Sequence, residues 1–298
     1  MGTPIWTGET SGAYEGITTN WIADTEPIAD DAVIIPAGNS VAIATALDAN
    51  DIDLLSFTVE EGYTGAIGTN TNEVVAPLQV SATTFRLAGS GVSYLKLKPH
   101  DDGTTYVIKA PARPAIGQFG LNLTTGATIP TLNIDLASGE SVGVAAVAGE
   151  TGTFTTINID GDGDVTLGAG LTCTTLNIAG DGNIYGQAGI ANINVISGSP
   201  KVYLQKACAA SVALIVKAGT VYEDSTGTKK IVQIFDDGAV LCQGSVADLR
   251  VWTDTEVYGA GTLEDEALTI DFTNPHKRKG NGENIKLGSN ISLARVAL

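Results

Sequence analysis

The stretch Thr156-Ile157-Asn158-Ile159-Asp160-Gly161-Asp162-Gly163-Asp164-Val165-Thr166 returns 19 residues later as Thr175-Leu176-Asn177-Ile178-Ala179-Gly180-Asp181-Gly182-Asn183-Ile184-Tyr185. Apolar and polar residues alternate strictly, so one face of each segment points in and the other out. Working outward, aliphatic residues recur at 165, 184, 202, 221, 240 and 257, spaced 19, 18, 19, 19 and 17. A second series, Leu132, Ile157, Leu176, Ile193, Leu214, Val232, Leu249 and Leu268, is spaced 25, 19, 17, 21, 18, 17 and 19. Two interleaved series with one period predict stacked copies of one small unit. Each unit is too short to bury its own core and must bury it against its neighbours.

Val, Ile, Thr and Tyr fill the segments and suit a pleated, half-buried surface. Gly-Asp-Gly at 161–163 and 180–182, and Asp236-Asp237-Gly238, read as corners, where glycine supplies positive φ and aspartate caps the turn. The expected fold is all-β, a single-stranded parallel β-helix (β-solenoid) with rungs of about 18 residues. Eight rungs at the strand spacing predict a rod of roughly 35–40 Å. Tyr185, Tyr203, Tyr222 and Tyr258 fall at equivalent positions, with Leu241 interrupting, and predict a partial aromatic ladder.

Composition agrees with flat stacked sheets. Only 16% of the 298 residues are charged and 36 are glycine, a profile unlike a helical enzyme. Thr45–Asp51 alone reads as a short helix or a loop. The net charge of −17 argues against nucleic acid as a partner, which needs a basic face. No apolar run approaches a membrane span. Cys173, Cys208 and Cys242 lie about two rungs apart, too far for a disulfide, so all three are expected to be reduced. Met1–Trp6 has neither basic residues nor an apolar segment, which predicts a chain made without a secretion signal.

Three regions follow. Residues 1–125 read as an N-terminal cap with irregular rungs, 126–272 as the regular solenoid, and 273–298 as a loop with a closing strand or arm. Trp6 and Trp21 read as the cap that a stack needs over its first rung; the functional alternative is a sugar-binding platform. Lys277, Arg278 and Lys279 form the dense basic cluster of an acidic chain. They read either as a solvated loop or as a docking patch for an acidic neighbour. Trp6, Trp21, Lys277, Arg278 and Lys279 are therefore the candidate partner-contact residues.

Chemistry finds little purchase. Gly161-Asp162-Gly163-Asp164 lacks the fixed spacing of calcium repeats and of an EF-hand loop. His100 and His276 show no spacing that pairs them with cysteines on zinc. Asp160, Asp162 and Asp181, or Asp236 with Asp237, could stand close enough for a glycosidase pair, but aspartate is expected at corners anyway. The expectation is no catalytic residue, no metal and no cofactor.

The order of motifs carries a resemblance. Trp6-Thr7-Gly8, Asn20-Trp21, Pro27 and the strand from Asp30 to Ile35 open the chain. Leu55-Ser56-Phe57-Thr58-Val59 then leads to Gly62-Tyr63-Thr64-Gly65-Ala66-Ile67-Gly68, and rungs such as Gly219-Thr220-Val221-Tyr222 follow. Together they resemble the β-solenoid virion structural proteins of tailed bacteriophages, of the capsid decoration or cement type. The likeness covers most of the chain, including Asn274-Pro275 and the alternating end. It implies a non-enzymatic protein bound to the major capsid protein on the phage head, assembled in bacterial cytoplasm. It also implies a homo-oligomer, with trimers common in such proteins. The competing expectation is a tailspike- or adhesin-like β-helix that binds or cleaves surface polysaccharide.

Overall fold

Inward residues of successive units lie directly over one another. The computed structural model describes residues 2–14, 16–43, 52–71, 74–76, 78–97, 103–109, 121–123, 126, 128–204, 213–223, 231–234, 239–242, 249–251, 257–259, 262–263, 268–270 and 292–293. Among them, one parallel row runs Val33, Phe57, Phe85, Tyr106, Leu132, Ile157, Leu176, Ile193, Leu214, Val232, Leu249, Leu268. From Val33 to Val232 no member is more than 1% exposed. The protein is an all-β parallel solenoid, as its alternation predicts.

The row is four strands longer than the second sequence series. The 235 residues from Val33 to Leu268 cover eleven steps, about 21 residues per turn, against about 18 in the regular part. The early turns carry extra chain. An antiparallel hairpin, Thr69–Thr71 with Val74–Ala76, is inserted after the Asp53–Val59 strand. The same row passes residue 125 in register, pairing Tyr106 with Leu132. The twelve strands give a rod of roughly 50 Å at the usual strand spacing.

A second ladder stacks the other series, Val142, Val165, Ile184, Val202, Val221, Val240 and Val257. Between the ladders each rung must turn. In Gly152–Gly161, Phe154 and Ile157 both point inward, with outward Thr155 and Thr156 between them. Two outward residues in succession break the period of two and bend the strand. At the far corner, Gly161, Gly180 and Gly198 have φ of +93°, +104° and +82°. A Cβ on Gly180 would lie 2.0 Å from the Gly161 carbonyl oxygen, so these corners stack only as glycine. The Ser292–Leu293 strand returns to pair in parallel with Thr262–Leu263. Thr45–Asp51 lies outside the described residues.

Candidate functional site

The N-terminal end is closed by its own sequence. Gly2 to Trp6 lies along the open edge of the first strand: the Ala32 and Ile34 amides donate to Gly2 and Pro4, and the Trp6 amide donates to Ile34, at 3.0, 3.0 and 2.9 Å. The chain then reverses, and Trp6 bridges Trp21 antiparallel. Reversal ends the parallel edge that would otherwise accept another strand. Trp6 and Trp21 pack edge to face at 5.3 Å, Tyr14 packs edge to face on Trp21 at 5.1 Å, and Tyr14 meets Phe57 of the second rung. Phe57, Phe85 and Tyr106 continue the stack inside the rod. Buried Asn20 accepts the Thr10 and Ser11 amides and donates to the Ala13 carbonyl, which pins the reversed loop. Buried Asp31 accepts the Gly2 and Ile28 amides.

Trp6 and Trp21 are 0% and 1% exposed, so neither ring offers a face to a sugar or to a partner. Their place is the cap. The apolar side chains that the cap does present are Ile22 and Ile28, at 52% and 61% exposed. Single isoleucines in a polar loop carry no sequence signal that marks them as contacts. Lys277, Arg278 and Lys279 lie outside the described residues, as do His276 and the corner at 236–238.

Among the described residues, three ladders lie on the outside of the rod. Tyr185, Tyr203 and Tyr222 stack nearly parallel, with centroids 5.1 and 4.8 Å apart. The register carries the row on to Leu241 and Tyr258, as the spacing predicts. Each ring covers its neighbour's face, so the row presents ring edges and hydroxyls. On the first ladder Asn158, Asn177 and Asn194 each donate their side-chain amide to the asparagine one rung before, beginning with Asn133, at 2.8 Å every time. Such a row satisfies half-buried amides within the sheet. The sequence holds these asparagines in plain view; the missing clue was that their identity repeats at the rung period.

The acidic corners are also ladders. Asp162 accepts the Asp181 amide at 3.2 Å, and Asp181 accepts the Ser199 amide at 2.7 Å. Asp164 accepts both the backbone and side-chain amides of Asn183, at 3.1 and 2.9 Å. Each carboxylate thus caps the corner of the next rung. Asp160 accepts the Gly161 amide beside it. Among the described residues, no group of three or more His, Cys, Asp or Glu side chains could hold a metal ion.

Three buried groups are shifted: Cys173, Tyr106, and Tyr63, whose phenol is raised by burial. Burial pushes the Cys173 thiol up to about 11, against the lowering effect of its backbone partners, so it stays protonated and unreactive at neutral pH. Burial likewise raises the Tyr106 phenol to about 12, opposed by its hydrogen bond to the Ala82 carbonyl at 2.7 Å. All three side chains are buried. No helix among the described residues is long and apolar enough to cross a membrane. No protein-family model, curated protein or solved structure matches the chain.

Proposed function

We propose that the chain is a non-enzymatic structural protein of a tailed-phage virion, a decoration (cement) protein on the outer surface of the major capsid protein shell. The observation that carries this reading is the unbroken, capped ladder. Its strands are hydrogen-bonded along the whole length of the rod, so a load along the axis is shared by every rung. A stiff element of that kind suits a shell that must resist the pressure of packaged DNA. The opening tryptophan–asparagine motif supports the reading, because its residues build the cap. Contacts to the shell then fall to the ends, to Ile22 and Ile28 on the cap and to Lys277, Arg278 and Lys279.

The competing reading, a tailspike or adhesin for polysaccharide, asks for open aromatic faces. Tyr203 has a ring stacked on each side. Mixing the purified chain with expanded capsids that lack it, followed by sedimentation and cryo-EM, tests the proposal. Saturable binding with density on the shell is expected, weakened when Lys277, Arg278 and Lys279 are changed to Glu together. Capsids that pellet without the chain would overturn it, and clear binding on a glycan array would favour the competitor.

A further inference from the structure

Strain collects at the cap. Among the described residues, the non-glycine residues of positive φ are Ala23, Asp24 and Asp30, at +60°, +52° and +64°. All three fall in the loop between Trp21 and Asp31. Aspartate tolerates that region, but the Cβ of Ala23 crowds the carbonyl beside it. The buried indole Nε1 of Trp6 has no hydrogen-bond partner, and among the described residues it is the one buried side-chain nitrogen or oxygen so placed. A strained backbone and an orphaned donor both favour release of the segment.

The attachments that oppose release are few and shared. The main-chain hydrogen bonds to Gly2, Pro4 and Trp6 hold the strap at 2–6 on the first strand, and Pro4 has no N–H to add another. Asp31, 2% exposed, accepts the Gly2 amide from the strap and the Ile28 amide from the loop. The Ile22 amide donates to the Ile5 carbonyl at 2.9 Å, a second tie between loop and strap. Release of either part therefore loosens the other.

We infer that the cap is a reversible plug: strap and loop open together, the rod stays folded, and the edge of the first strand is bared. A solenoid permits this, because each rung contacts only its neighbours and one end opens without the middle. In the open state the Ala32–Ile35 strand presents unpaired main-chain groups, and Trp6 and Trp21 meet water. Closure is thus what keeps that edge from pairing with another strand. The inference stands apart from the capsid reading, since the chain alone tests it.

Native-state hydrogen exchange of the full chain, followed by NMR across a urea series, reads the opening. The amides of Trp6, Ile22, Ala32 and Ile34 all cross between the parts. They are expected to share one protection factor, about tenfold or more below that of the Leu171–Ile178 strand. It should depend little on urea, because local opening exposes little surface. Ala23→Gly relieves strain and raises the protection of all four by about threefold or more. Asp31→Asn leaves one acceptor oxygen for two amides and turns its own NH₂ on the second, so all four lose about tenfold. Neither change alters the Leu171–Ile178 strand. Four unrelated protection factors, cap amides as protected as that central strand, an Ala23→Gly effect confined to Ile22, or an Asp31→Asn chain with unchanged exchange each overturns the plug.

Discussion

Tyr106 concentrates what a single residue does in this fold. It stands in the inward row, its ring continues the aromatic stack from the cap, and its hydroxyl donates to Ala82 one turn earlier. Its raised pKa has a stability consequence. Unfolded, the phenol ionises near 10.0; folded, it holds its proton to about 12. Between those values the unfolded chain has lost a proton that the folded chain keeps, so stability falls as pH rises. Below about 10 the contribution is fully present. Alkaline titration followed by circular dichroism should show this loss. Tyr106→Phe should cost about 1 kcal/mol at neutral pH through the lost hydrogen bond and make the alkaline loss shallower. The slope does not vanish, because burial also raises the Tyr63 phenol.

At the scale of the rung, the corner sets the tolerance. Gly180→Ala places a methyl group against the Gly161 carbonyl, on a backbone already at φ +104°. A stability loss of about 3 kcal/mol is expected in urea unfolding, from clash and strain together. Gly139→Ala is the control: its φ is +87°, but nothing lies within 4 Å of the added atom. It should lose only about 1–2 kcal/mol, the strain alone. If the two variants unfold alike, the corner stack is not what the glycines serve. This is also the scale at which the sequence reads best. Alternation plus an identical offset in two series gave both ladders from Leu132 onward and the tyrosine row. The strands before Leu132 use the same inward face, with Phe57, Phe85 and Tyr106 in place of aliphatics. They read from the sequence as irregular rungs, but not as members of the same row, because corners of unequal length disturb the period while leaving the pairing untouched. Both tryptophans are buried at the N-terminal end, a placement that alternation could not give, since it says nothing of which aromatic a loop folds over.

For the molecule as a whole, the rungs around Ile157 and Leu176 are interchangeable. Ile157 to Leu176 and Val165 to Ile184 are both 19 residues apart, so both ladders keep register over the same length of chain. Removing residues 158–176 joins Ile157 to Asn177 and returns every later residue to its former face. The shortened chain should fold cooperatively, with unchanged circular dichroism per residue and a rod about 5 Å shorter by small-angle scattering. Removing 158–167 instead breaks both registers and should give insoluble protein. Such a chain carries its length as a heritable variable. Exchange between rungs of equal length would add or subtract whole rungs in register, and such products are expected to fold. Selection could then set the length of the rod one strand spacing at a time, while the cap stays the same.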